Sequence, residues 1–115
     1  MNNKIPETLE EAVNILIAKN FSDIARLKKE DMAKYHFSVG MNIRNAWGLW
    51  DENSILHKHF KERFGLWHAD DMSGLIFHCF QNAINSKPWE AEKKAEYYKD
   101  YWKGIKITGI NHESI

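Results

Sequence analysis

Cysteine is nearly absent: Cys79 stands alone, which excludes an internal disulfide and any multi-cysteine zinc cluster and fits a reducing compartment, with the cytoplasm as the expected location. Proline occurs twice and glycine six times. Each falls where a helix would start, stop or pack closely, so no linker or internal domain boundary is marked. No apolar run exceeds a few residues, and the N-terminal stretch MNNKIPETLEE lacks an apolar core of signal-peptide length; neither a membrane span nor a leader is expected. Charge of one sign is not in excess either. Sixteen Lys and Arg balance sixteen Asp and Glu, so there is no global field to draw in a phosphate backbone, and nucleic acid is not an expected partner. Nucleophile-elbow, phosphate-loop and dinucleotide fingerprints are also missing, and no cofactor is implied.

What is present is apolar and aromatic mass. A chain of 115 residues that is 43% hydrophobic and 13% aromatic can close one core and is too short for two ordinary domains, so residues 1–115 form a single domain. Thr8 followed by Glu11 is a capping-box pattern, and Leu9, Ala12, Val13 and Leu16 recur at helical spacing, which predicts a helix over Leu9–Lys19. Ser22 and Asp23 open a short turn carrying Ile24 and Leu27. At 100° per residue Met32, His36, Val39, Gly40, Ile43, Ala46 and Trp47 share an arc of roughly 120°, with Asp31, Lys34, Ser38, Asn42 and Asn45 opposite; this helix ends near Gly48. Ile55, Leu56, His59, Phe60 and Phe64 mark a further helix stopped by Gly65. Beyond it, Asp70 is placed as a cap, and Met72, Leu75, Ile76, Phe77, Cys79, Phe80, Ala83 and Ile84 cover roughly 200°, the signature of a central, largely buried helix. Pro88 is placed in the first turn of a last helix over about 88–104, with Ala91, Ala95, Tyr98 and Trp102 as a narrow seam and Gly104 at its end. The remaining IKITGINHESI reads as a short strand or a loose tail. The expected fold is all-α, a compact single-domain bundle of five or six helices with a short C-terminal tail.

The candidate chemistry concentrates in a few side chains. In HFSVGMNIRNAWGLW the helical wheel puts Arg44 at the edge of the core-facing arc and Asn45 on the polar side, so the two do not converge on one ligand. A guanidinium among aromatics can grip a carboxylate or phosphate, or pair internally with Asp51, Asp70 or Asp71 and brace the fold. Were His36, Arg44 and Asp70 or Asp71 to meet, they would supply a base, an anion clamp and an orienting carboxylate. His57 and His59 stand about 200° apart on a helix and cannot hold one ion; His68 with Asp70 and Asp71 also suits an ordinary helix start, and no metal is assigned. Arg63 and His68, separated by four residues, resemble the Arg-x(4 to 6)-His signature of HEPN ribonucleases, although Gly65 interrupts the helix between them. Trp50, Trp67, Trp89 and Trp102 lie at helix ends, where an indole can bury its body and leave its N–H accessible, and such residues anchor interfaces. The seam of Tyr98 and Trp102, flanked by Tyr97 and Tyr101, can pack on its own chain or on a second copy as a homodimer.

LEEAV, HFSVGMNIRNAWGLW and DDMSGLI together resemble a family of small bacterial domains of unknown function with the pattern HFGLGMxIRNxxGLW followed by a DDxS helix. The likeness covers roughly residues 5–84 and leaves the last helix outside; Ser38 stands where the pattern has glycine and Val39 where it has leucine. The resemblance implies a bacterial or phage-related origin and marks His36, Gly40, Arg44, Asn45, Gly48, Trp50, Asp70 and Asp71 as pattern positions, without implying a reaction. The expected function is a non-catalytic protein-binding module, of which an immunity or anti-toxin role is one form, contacting its partner through Arg44, Asn45, Trp47, Trp50, Trp67, Tyr98 and Trp102. The alternative is a small helical hydrolase or ribonuclease using His36, Arg44, Asp70 and Asp71, or Arg63 and His68.

Overall fold

The computed structural model describes residues 5–19 and 40–108; the expected turn at Ser22 and Asp23, the span from Met32 to Val39 with His36, and residues 109–115 lie outside them. Among the described residues the secondary structure is helical, with no strand, and the expected all-α single-domain bundle is what the chain forms. The helices are α1 (Leu9–Lys19), α2 (described over 40–46), α3 (Ile55–Phe64), α4 (Ala69–Ile84) and α5 (Ala91–Thr108).

α1 has the expected bounds, and Leu9, Ala12, Val13 and Leu16 are its buried face. Its N-terminus is satisfied from three directions, because the first-turn N–H groups have no partners within a helix. Thr8 Oγ1 accepts the Glu11 N–H at 3.2 Å. The Glu11 carboxylate accepts from the Glu7 N–H at 2.9 Å, one residue earlier than a capping box would place it. From fifty residues away, His59 Nε2 accepts the Leu9 N–H at 3.0 Å.

That third cap works only with an unprotonated Nε2, so it carries a pH dependence. Burial, then the Arg63 charge, holds His59 below its usual value of 6.5, with Glu10, Glu11 and Glu62 opposing. The folded chain therefore binds this proton less readily than the unfolded chain. The contribution is full above about pH 6.5 and is lost as the pH falls through the folded-state value. His78 is depressed in the same direction, by burial and then by Lys94. The melting temperature should drop as the pH is lowered from about 7.5 to about 5. His59→Gln, whose amide oxygen can accept the same N–H, should flatten part of that slope; an unchanged slope would dissociate His59 from it.

α2 buries Gly40 and Ile43, with Trp47 and Leu49 following into the core, while Asn42 and Asn45 face outward. Ala46, expected in the apolar arc, is exposed. Gly48 takes φ +69, and the Leu49 N–H returns to the Arg44 carbonyl at 3.0 Å. This is the closing bond of a Schellman turn, where a left-handed residue favours glycine. Ser54 then joins two helices. Its Oγ donates to the Gly48 carbonyl at 2.8 Å and accepts the His57 N–H at 3.1 Å, capping α3.

In α3 the buried face is Leu56, His57, Phe60 and Phe64. Ile55 is exposed instead, and His57 takes the inward position because its Nδ1–H donates to the Leu49 carbonyl at 2.8 Å. The apolar arc had not anticipated this, since a histidine can be interior once its ring nitrogen is satisfied. Gly65 ends the helix at φ +72. α4 is the central element, packed on α1, α3 and α5, with Ala69, Met72, Ser73, Gly74, Leu75, Ile76, Phe77, Cys79, Phe80 and Ile84 buried. Its N-cap is His68, in extended backbone with no side-chain capping bond, and Asp70 lies inside the first turn rather than capping it. α5 begins three residues after Pro88 and runs through Gly104 to Thr108, so the IKIT segment is helical. The connection bends through Ser86 and Glu90, both at positive φ, which delays the helix start past the proline.

Candidate functional site

The N-terminal turn of α4 collects more of the candidate side chains than any other described part of the chain. The short connection from Gly65 to His68 carries Trp67 and His68 up to the helix, and α5 brings Trp102 across from the other side. The His68 ring stacks on Trp102 with centroids 4.1 Å apart and planes 16° apart, and lies 4.1 Å from Trp67. The two indoles are 6.1 Å apart, and Tyr101 packs edge-on against Trp102 at 5.1 Å. Trp67 nevertheless remains 58% exposed, and Tyr97, one turn before Tyr101, is 60% exposed. The result is an aromatic strip, open to solvent along one margin.

Asp71 ties this strip to the helix. Its Oδ2 accepts the Trp102 indole N–H at 2.8 Å. Burial raises its pKa, against the lowering influence of that hydrogen bond and of His68. Beside it lies an open cleft of about 240 Å³ lined by Gly65, Leu66, Trp67, Asp71, Lys99 and Trp102. The Lys99 ammonium is 3.3 Å from a Glu96 carboxylate oxygen.

Asp70, its neighbour in sequence, turns to Arg44: Nε and Oδ1 are 3.4 Å apart. Arg44 Nη1 donates to Ser73 Oγ at 2.8 Å, and that hydroxyl in turn donates to the Asp70 carbonyl at 3.1 Å. The Arg44 side chain is 13% exposed against 76% for Asp70. Among the described residues, buried Arg44 Nε has no hydrogen bond of adequate geometry, and neither has His68 Nε2. Asp70 and Asp71 thus serve different partners on α2 and α5. The Arg44 constellation contains Asp70 but not Asp71, and its third member, His36, lies outside the described residues.

The other candidates are spread over the molecule. Asn45 accepts the Trp50 indole N–H at 3.1 Å on an exposed surface, so Arg44 and its sequence neighbour do engage separate groups. Trp47, expected at a contact surface, is instead buried in the core, because the helical arc carries it inward with Ile43. Arg63 holds Glu10 through both carboxylate oxygens, at 2.8 and 3.1 Å. It also reaches Glu92 at 3.6 Å and lies over the Phe64 ring; these contacts link α1, α3 and α5. Its Glu10 bond raises the guanidinium pKa further, and His68 is engaged elsewhere, in the indole stack. Tyr98 is half-buried in the seam between α5 and the core, with its hydroxyl pushed up to about 12 by burial first. Burial likewise pushes the Cys79 thiol up to about 12, which leaves little thiolate to act as a nucleophile at neutral pH. His57 and His59 bond Leu49 and Leu9 respectively, and among the described residues no three His, Cys, Asp or Glu side chains group as metal ligands.

Ser73, Lys99, Glu10 and Glu92 carried no assigned role in the sequence. Ser73 had a usable signal: it follows Asp70 by three residues, one turn along the same face. Glu10, Glu92 and Lys99 had none, since only the packing of α1 and α5 on α3 and α4 brings them into place.

No curated protein and no solved structure matches the chain. A family profile described as a domain of unknown function (DUF6794) matches residues 5–83.

Proposed function

The chain belongs to this family of domains of unknown function, and from that premise we propose that it is a non-catalytic protein-binding module of bacterial or phage type, working in the cytoplasm. The supporting observation is the exposed aromatic strip of Trp67, Trp102, Tyr101 and Tyr97 at the start of α4. Large rings left at a surface, with a hydrogen-bonded indole holding the array in place, give contact area at small entropic cost to a partner. An immunity or anti-toxin role is one concrete form of such binding. A second copy docking through the outer face of α5 is another occupant of the same strip. The inner seam of that helix packs on its own chain.

The hydrolase alternative has less support. Arg63 is committed to Glu10 and Glu92, and its proposed partner His68 to two indoles, so neither is poised on a common substrate atom.

A photo-cross-linking amino acid at Tyr97, introduced into the protein in bacterial cells, should yield a discrete protein adduct. The same group at exposed Glu52 should yield none. Trp67→Ala should abolish the adduct while costing only about 1–2 kcal/mol of stability, the scale of its ring contacts with His68 and Trp102, so that the chain stays folded. Equal adducts from both positions, or none from Tyr97, would remove the reading. RNA turnover by the purified domain that disappears in folded Arg63→Ala and His68→Ala variants would put the hydrolase first.

A further inference from the structure

We infer that the cleft between Trp67, Asp71 and Trp102 receives a cationic side chain of the partner protein, an arginine in preference to a lysine; this rests on the protein-binding reading above. Three features of the cleft point to positive charge. Its walls include two indoles, whose faces carry negative electrostatic potential and attract cations; His68 stacks on one face of Trp102, while the Trp67 ring is 58% exposed. Its acidic group is Asp71, and among the described residues no lysine or arginine pairs with it, although His68 lies near enough to act on its charge; an indole N–H satisfies one oxygen. Burial already disfavours its charged form, and an incoming cation would offset that cost by direct attraction. Lys99 also lines the cleft, but its ammonium is balanced by Glu96.

The opposite occupant, an anion, is favoured at a bare helix N-terminus. Here the first turn of α4 already carries Asp70 and Asp71, so a further negative charge would meet two of its own sign. Guanidinium is preferred over ammonium because its plane can stack on an indole while its N–H fork meets a carboxylate. The cleft volume of about 240 Å³ accommodates that group with its alkyl stem, and a cleft open to solvent admits it from a partner's surface.

The probes are Nα-acetyl-arginine N-methylamide, its lysine counterpart and the neutral citrulline analogue, titrated into the ¹⁵N-labelled protein while the indole N–H resonances of Trp67, Trp102 and Trp50 are followed. The arginine probe should give saturable shifts at Trp67 and Trp102, with Trp50 unmoved. It should bind roughly tenfold more tightly than the citrulline analogue and more tightly than the lysine probe. Asp71→Asn should weaken it by about the same factor. Asparagine keeps an oxygen that can accept the Trp102 N–H; should that variant still not fold, Trp67→Ala carries the test, since the Trp67 ring is 58% exposed, and it should abolish the response. Citrulline binding as well as arginine, or the absence of any saturable shift, overturns the inference. A Tyr97 adduct forming in cells without an arginine response also overturns it and leaves the binding module standing. An arginine response with no Tyr97 adduct overturns both the module and the partner as the source of the cation.

Discussion

Phe80→Ala should destabilise the domain by about 3–5 kcal/mol, the range for emptying a buried aromatic site. Phe80 is fully buried in the C-terminal half of α4, with its ring edge-on to Phe77 at 6.3 Å. The helix around it packs on α1, α3 and α5 at once, so a void there cannot be closed by sliding one neighbour without disturbing the other two. Deleting the ring removes its transfer free energy and leaves a cavity that the surrounding core side chains fill only in part. Against a total of roughly 5–15 kcal/mol for a domain of this size, the loss is a large fraction, and the variant should be partly unfolded near physiological temperature. Urea denaturation at constant slope measures it, and Phe80→Leu should lose less because it keeps part of the volume. A loss below about 1 kcal/mol would mean that α4 is not the hub of the core.

The centrality of α4 was legible because it is a local property: the apolar residues of one 16-residue segment wrap most of its circumference, and such a helix must be surrounded. For the same reason α1 was readable to its ends, and Gly48 and Gly65 marked the stops of α2 and α3, each at positive φ. The failures share a different physics. Pro88 suits a first helical turn, yet the start moves to Ala91 because Glu90 takes a left-handed conformation and its carbonyl accepts the Lys94 N–H. Gly104 resembles a stop, but nothing approaches the place where its side chain would be, and the helix runs on over an open position at modest cost. His57 faces inward for the sake of a carbonyl eight residues away, which no hydrophobic period encodes.

The candidate site divides along the same line. The residue types at the start of α4 were identifiable, as was the divergence of Arg44 and Asn45 around their helix. That Asp70 and Asp71 part company was not. On a helix adjacent residues point about 100° apart, so one acid reaches α2 and the other α5, and the identities of their partners depend on tertiary contacts separated by 26 and 31 positions.

Arg44→Ala should cost about 2–3 kcal/mol, the range for a charged hydrogen bond lost from a mostly buried group. Ser73 Oγ, fully buried, would keep its bond to the Asp70 carbonyl and lose the guanidinium it accepts from. The ion pair itself contributes little to this figure: Asp70 is 76% exposed, so water and salt screen it, and Asp70→Asn should change stability by no more than about 0.5 kcal/mol. A double-mutant cycle of Arg44→Ala with Ser73→Ala isolates the hydroxyl contact and should return a coupling of about 1 kcal/mol or more. Arg44→Lys should recover less than half of the loss, because an ammonium cannot span the serine hydroxyl and the carboxylate from one planar fork. The opposite result, full stability in Arg44→Ala with loss of the Tyr97 adduct, would show that the guanidinium is held in place for a partner and not for α4. Its Nε, which has no hydrogen bond among the described residues, makes that comparison informative, since a group serving the fold alone gains nothing from leaving one buried donor without a hydrogen bond.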